Sequence, residues 1–265
     1  MAGLIDSVKV RPLLQAASVL LCVLLWHVAA THRLNLHVLS FANVPPPAEV
    51  AEAAWRLLHS PKLWPHLSSS LWRVGLGFGA AAVLGVGLGL LIGRLRWAHL
   101  SLLPPLEVLR PIPAVAWIPL AILMFPSSEG SMVFITFIGA LFPILLNTIH
   151  GVESVDARLI ASARSLGTGR ARLFAEVIVP AAAPSIVTGL SIGMGTCWFC
   201  LVTAEMIAGQ YGIGYYTWES YTVQAYPSIV VGMLAIGAMG MGSSVLIRRA
   251  GDRLMPWHRP QGAAR

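Results

Sequence analysis

Apolar positions along the chain gather into six long runs, and polar positions fall between them. The first run, Leu13 to Ala30, is apolar apart from Gln15, Ser18 and His27. The others cover about Leu71 to Gly93, Leu102 to Phe125, Ser131 to Ile149, Ala181 to Met206 and Ser228 to Ile247. A helix needs roughly 20 apolar residues to cross a bilayer, so each run is long enough to span. The expected fold class is an all-α integral membrane protein of about six transmembrane helices.

The third run differs from the rest. Pro104, Pro105, Pro111, Pro113 and Pro119 interrupt it, and each proline inside a helix removes a hydrogen bond. Two readings stand: a broken helix beside a transport path, with Pro113 and Pro119 at the break, or an interfacial segment followed by a short plain span. Glu107 and Arg110 lie three apart and can pair. In the second run Gly77, Ala81, Gly85, Gly89 and Gly93 recur at every fourth position, a smooth ridge for close helix packing. Ser185, Gly189, Gly193 and Cys197 repeat the device in the fifth run. Asn147, near the end of the fourth run, reads as an interhelical hydrogen-bond partner beside the path.

Two polar intervals stand out. Thr31 to Ser70 carries Pro45, Pro46 and Pro47 ahead of an amphipathic helix over about Ala48 to His59. Glu153 to Pro180 predicts two short helices joined at Gly167. Val155, Leu159, Ala163 and Leu166 line one face of the first; Thr168 caps the second, whose apolar face is Leu173, Phe174, Val177 and Ile178. Arg158, Arg164, Arg170 and Arg172 rim this hairpin, giving it the form of a docking surface.

Composition agrees with a membrane setting. Of 265 residues 56% are hydrophobic and 11% charged, with mean hydropathy +0.73, whereas soluble domains carry about 25% charged residues. The net charge of +7 comes from basic residues flanking the runs, without the aromatic-interleaved stripe of a nucleic-acid binder. With the N-terminus in the cytoplasm, the positive-inside rule places Lys9, Arg11, Arg94, Arg96, the four hairpin arginines, Arg248, Arg249, Arg253, Arg259 and Arg265 inside. Arg33, Arg56, Lys62 and Arg73 fall outside. The layout is then a cytoplasmic N-terminus over 1–12, a retained first span over 13–30 rather than a cleaved signal peptide, and a periplasmic segment over 31–70. A five-span core over 71–249 contains the hairpin at 153–180, and a cytoplasmic tail over 250–265 follows.

Candidate chemistry is sparse. Cys197-Trp-Phe-Cys200 has the spacing of a redox motif but sits inside an apolar helix, and neither a metal set nor a disulfide framework is expected. Glu205 is an ionisable group in a span, which by default faces a partner, a cavity or the bundle interior; a gating or structural role fits it. Tyr211, Tyr215 and Trp218 occupy the stretch Ala208 to Pro227, read as an outer interfacial loop. No GxxxxGK[ST] phosphate loop occurs, so the chain is not itself an ATPase.

The hairpin carries a family resemblance. Ala161, Ser162, Ala163 and Gly167, then Val177, Val179 and Pro180, resemble the cytoplasmic loop of permease subunits in binding-protein-dependent ABC importers, whose pattern is Glu-Ala-Ala, three residues, Gly, nine residues, Ile-x-Leu-Pro. Ala161 stands where the family has Glu, and Ser162 where it has Ala. Arg110 to Ile122, Leu141 to Val152 and Thr203 to Tyr215 are similar to the nitrate, taurine and aliphatic-sulfonate branch, and Met255 to His258 resembles its taurine and sulfonate members.

The resemblance implies a type I importer permease in a bacterial inner membrane, with both termini cytoplasmic, that couples alternating access to ATP hydrolysis elsewhere. Its partners would be an ABC ATPase subunit dimer, a second permease copy, a periplasmic or lipid-anchored solute-binding protein and the lipid bilayer, with no nucleic acid. Arg158, Ala161, Ser162, Ala163, Arg164, Gly167, Arg170, Arg172, Phe174 and Pro180 would meet the ATPase, and Tyr211, Tyr215 and Trp218 the binding protein. Glu205, Asn147, Pro113 and Pro119 would serve gating or the path. No cofactor is expected in this chain; ATP and Mg would sit on the ATPase. The solute would be a small anion, first a sulfonate such as taurine, alternatively nitrate, bicarbonate or another small solute. Rival classes are an ion-coupled secondary transporter and a membrane enzyme with metal ligands on facing helices.

Overall fold

A computed structural model describes residues 10–35, 37 and 40–257. Lys9, His258, Arg259 and Arg265 lie outside the described residues. The described chain is helical, and the only extended pairing within it is an isolated bridge between Asn35 and Ser40. Two compact units divide it: residues 1–63 with 216–234, and residues 64–215 with 235–265.

In the first unit, α1 (Val10–Thr31) is apolar on every side, and Leu13, Leu20 and Leu25 are all more than half exposed. A helix of this length with apolar residues all round suits lipid rather than water. Pro47 starts α2 (Pro47–Leu58), since its missing N–H costs nothing in a first helical turn. Val50 and Ala53 on α2 bury against Trp26, whose indole N–H donates to the carbonyl of Pro45 at 3.0 Å.

The second unit is built on α3 (Leu63–Arg94), α6 (Ser128–Glu153) and α9 (Val179–Ala208). At 32 residues α3 is about 48 Å long, well beyond a hydrocarbon core of roughly 30 Å, and it begins eight residues before the expected Leu71. His66 and Ser70 on that extra length, and Arg73 just beyond it, are buried, so the polar start of α3 is held by the protein, not by water. The glycine ridge meets α6 along its length. A side chain at Gly77 would strike Thr136, one at Gly85 Ile144, one at Gly89 Thr148 and one at Gly93 Val152. On α9, Gly189 and Gly193 bring the helix against Asn147 and Ile144 in the same way. The core between these helices is Ile135, Ile144, Met132, Leu201 and Trp198.

The third apolar run is broken. The first piece is α4 (Arg96–Leu109), which holds Pro104 and Pro105; a short 3-10 turn (Ala114–Trp117) leads into α5 (Ile118–Met124), and the two pieces are bent by 83°. Among the described residues five helices are long and apolar enough to cross a membrane, or six if this bent pair is one span.

Several expected boundaries move. α6 runs from Ser128 to Glu153, because Ser127 caps its start by accepting from the Gly130 N–H at 3.3 Å. The stretch after Ala208, expected as a loop, contains α10 (Ile213–Thr222). The final helix, α11 (Tyr226–Leu254), outruns the expected Ile247 and carries Arg248, Arg249 and Arg253 within it.

Candidate functional site: hairpin, buried charge cluster and mid-helix cavity

The hairpin opens with α7 (Ala157–Ser165), capped by the Asp156 carboxylate, which accepts from the Arg158 N–H at 2.8 Å. Gly167 ends it at φ +79°, a left-handed conformation that glycine adopts without strain. Its N–H reaches the carbonyl of Arg164 and that of Thr168 reaches Ala163, so two of the last carbonyls are satisfied by a Schellman turn. Thr168 is therefore spent on closing α7, and Gly169 rather than Thr168 stands at the next N-cap.

The second helix of the hairpin is not separate. α8 (Arg170–Arg172) passes through a π-helical stretch, Leu173–Ile178, straight into α9, an unbroken helical run from Arg170 to Ala208. Pro180 brings no N–H to the carbonyl of Glu176, and the wider turns lie just ahead of that proline. Pro180 sits inside the run instead of starting a new segment.

The inward face of α7 also differs from the expected one. Val155, Ile160 and Ala163 pack on Leu173, Phe174, Val177 and Ile178, while Leu159 is 53% and Leu166 86% exposed. Ile160, one residue on from Leu159, takes the buried position. Arg158, Ala161, Ser162, Arg164 and Arg170 share the exposed surface with the two leucines. Arg172 lies 3.8 Å from Glu176 in an exposed pair one turn apart, worth a few tenths of a kcal/mol. Among the described residues Arg158, Arg164 and Arg170 have no ion pair.

At the far end of α6 and α9 lies a buried charge cluster. Glu205 is fully buried: one carboxylate oxygen accepts from Ser70 Oγ and from Arg73 Nη1, both at 2.8 Å, and the other from the Gly214 N–H at 2.9 Å. Arg73 is 1% exposed; it also donates to the carbonyl of Tyr211 and forms a two-pronged pair with Glu129, at 2.8 Å through Nε. Ser70 accepts from the Ile213 N–H at 2.9 Å, and His66 Nδ1 accepts from Gly212 at 3.1 Å. The chain turns here at Gly212, φ +131°, where a methyl group would collide with the Glu205 carboxylate. The cluster ties α3, α6, α9 and residues 211–214 together. Arg73, expected as a charge flanking the second run, and Glu205 are both withdrawn from the surface into this cluster.

Between these two ends the broken third run borders a cavity of about 300 Å3. Arg110 and Pro113 form one wall; Gly139 and Phe142 on α6 and Thr196 and Cys200 on α9 form others. Glu107 and Arg110 make no ion pair among the described residues; Arg110, exposed at the end of α4, lines this cavity. Pro119 lies in the first turn of α5 and is exposed. Asn147 does not bridge helices through its amide, which donates to the Pro143 carbonyl of its own helix at 2.8 Å; the contact across to Gly189 is through its Cβ. Tyr211 and Trp218 are exposed, at 54% and 45%, and Tyr215 is half-buried with its ring stacked on His66. Cys197 and Cys200 are buried free thiols, and no cluster with metal-ligand potential occurs among the described residues.

Sequence reasoning passed over Ser70, Arg73, His66 and Glu129 because each meets its partners only through the tertiary fold. A weak signal existed in the polar residues at the start of α3, one helical turn or less apart.

Residues 85–259 match the family described as the binding-protein-dependent transport system inner membrane component. The chain is 36% identical over 209 residues to the nitrate import permease protein of Synechocystis sp., covering 76% of each. It is 37% identical over 218 residues to a candidate aliphatic sulfonates transport permease protein of Escherichia coli, covering 82% of this chain and 81% of that one. To the taurine transport system permease protein of Escherichia coli it is 32% identical over 238 residues, covering 88% and 85%. An all-α chain with five or six candidate membrane helices and this similarity along most of its length belongs to the binding-protein-dependent inner membrane component family, in the ABC importer permease branch.

Proposed function

We propose that this chain is the membrane-spanning subunit of an ATP-driven importer for a small oxyanion, working by alternating access. The observation that carries this reading is the hairpin, in which α7, packed on the helical extension of α9, presents two exposed leucines, Leu159 and Leu166, among unpaired arginines. Exposed apolar side chains inside a charged rim mark a protein-binding surface. The partner is an ATPase subunit that binds ATP and Mg, and its closure moves the α7 hairpin and with it the α9 run. Two copies of the permease, each with one ATPase, enclose the path, and a solute-binding protein delivers the solute at the opposite end, near Tyr211, Tyr215 and Trp218. Positive residues at the hairpin end set that end in the cytoplasm, with both termini.

The first candidate solute is a sulfonate such as taurine, with nitrate or bicarbonate as alternatives in the same importer class; the relatives named for nitrate, sulfonates and taurine support this range. Ion-coupled secondary transport has less support, because the buried carboxylate of Glu205 is already engaged by Arg73, Ser70 and Gly214.

The test is co-expression with candidate ATPase and binding-protein partners, followed by ATPase assays in proteoliposomes against taurine, methanesulfonate, nitrate and bicarbonate. Stimulation by one solute together with its binding protein is the expected result. Uptake driven by a proton or sodium gradient without ATP would overturn the reading.

A further inference from the structure

The cavity at the break in the third run holds a charge that the fold leaves uncompensated. Arg110 stands at the C-terminal end of α4, just before the 83° bend; it is exposed and is one of the residues lining the cavity. Gly139, on the facing wall, lies eleven residues past the start of the 26-residue α6, about 17 Å along it at 1.5 Å per residue. The cavity thus borders the middle of a candidate span, far from the terminal polar residues of that helix.

Two arginines of this unit can be compared. Arg73 is surrounded by Glu129, Glu205 and the Tyr211 carbonyl. Arg110 has no carboxylate within ion-pair distance and no side-chain hydrogen bond among the described residues. An intramembrane cation is costly, and where it faces a cavity without a protein partner it marks a solute or ion pathway. The facing wall offers Gly139, Phe142 and Cys200, apolar surroundings in which an ionic hydrogen bond is strengthened, and it holds no negative side chain to compete. A guanidinium presents two parallel N–H groups that match two oxygens of one anion. At about 300 Å3 the cavity is at the small end of ligand sites, which suits an anion of few heavy atoms.

From this geometry we infer that Arg110 is the anion-selecting residue of the path, binding a small monovalent oxyanion of the nitrate or sulfonate type through two of its oxygens. The inference rests on the importer reading above and adds to it a residue and a recognition mode. Glycine at 139 lets α9 approach α6 closely beside the cavity: a side chain there would strike Cys200.

The test uses the full complex of permease, ATPase and binding protein in proteoliposomes, with nitrate and methanesulfonate as anionic probes and urea as a neutral planar one. Arg110→Gln and Arg110→Lys are compared after confirming that each still co-purifies with the ATPase. Wild type should accumulate an oxyanion and exclude urea. Arg110→Gln should lower oxyanion uptake by about tenfold or more, the scale of losing one partner of an ionic hydrogen-bonded pair, with Arg110→Lys intermediate because it keeps the charge and loses the fork. Oxyanion uptake by Arg110→Gln equal to wild type overturns this inference and leaves the importer reading standing. If both variants lose the ATPase, the residue is structural and the inference falls. Accumulation of urea by wild type removes the anion class as well, and absence of ATP-dependent uptake of every probe removes the importer reading and this inference with it.

Discussion

Glu205 and Arg73 form a pair in which both side chains are withdrawn from solvent, 0% and 1% exposed, and each depends on the other to stay buried. Removing Arg73 leaves the buried Glu205 carboxylate without a counter-ion, a loss of about 3–5 kcal/mol in such sites, whereas replacing both with apolar residues can be close to neutral. Arg73→Met should destabilise the detergent-solubilised protein by about that amount, Glu205→Met by less because Arg73 keeps its pair with Glu129, and the double variant should recover part of the Arg73→Met loss. Denaturant unfolding of the four proteins measures the coupling. Single variants within about 1 kcal/mol of wild type would show that water or lipid headgroups, rather than the pair, satisfy these groups. Nothing local in the sequence announces the pair, since Arg73 lies 132 positions from Glu205 and 56 from Glu129. Glu205 could be singled out as an ionisable group in an apolar run; Arg73 looked like one more flanking charge.

At the scale of the helix, α3 separates two sets of glycines that the sequence interleaves. Gly77, Gly85, Gly89 and Gly93 face α6, while Gly75, Gly79 and Gly87 have nothing within 4 Å of a built side chain. Gly89→Ala, whose methyl would stand 2.5 Å from Thr148 Cβ, should cost about 1–3 kcal/mol by overpacking. Gly87→Ala, on the opposite face of α3, should be neutral or stabilise by up to about 1 kcal/mol through reduced chain entropy. Thermal unfolding of the two variants separates them, and equal effects would mean that the ridge does not pack on α6. The hairpin makes the parallel case. Gly167→Val places a β-branched residue at φ +79° and should reopen the Schellman turn, so that ATPase co-purification falls while membrane insertion persists. Normal co-purification and transport by that variant would count against the hairpin as a docking element.

For the whole molecule the decisive expectation is orientation. In a background with Cys22, Cys197 and Cys200 replaced by serine, a cysteine introduced at exposed Arg164 should be labelled by a membrane-impermeant reagent only after the cells are opened, and one at exposed Tyr211 in spheroplasts. The opposite pattern would reverse the topology and remove the hairpin from the side where ATP is. The broken third run belongs to this scale too. Prolines showed that a plain helix was unfavourable there, and the structure adds an 83° bend and a cavity lined by Arg110 at the break, a geometry that a broken span and an interfacial lead-in share.

By itself the sequence determined the class of molecule. Apolar run length, the fourfold glycine spacing and the hairpin pattern are local or periodic signals, and a bilayer enforces them because each span must satisfy its own backbone hydrogen bonds. The same locality made the Gly167 turn legible, since the conformation it needs is a property of one residue. Only the tertiary structure decided which of two adjacent residues, Leu159 or Ile160, turns inward on α7, that α8 and α9 form one run, and that Arg73 is paired while Arg110 faces a cavity. These depend on which distant helix lies opposite, and no interval of sequence contains that distance.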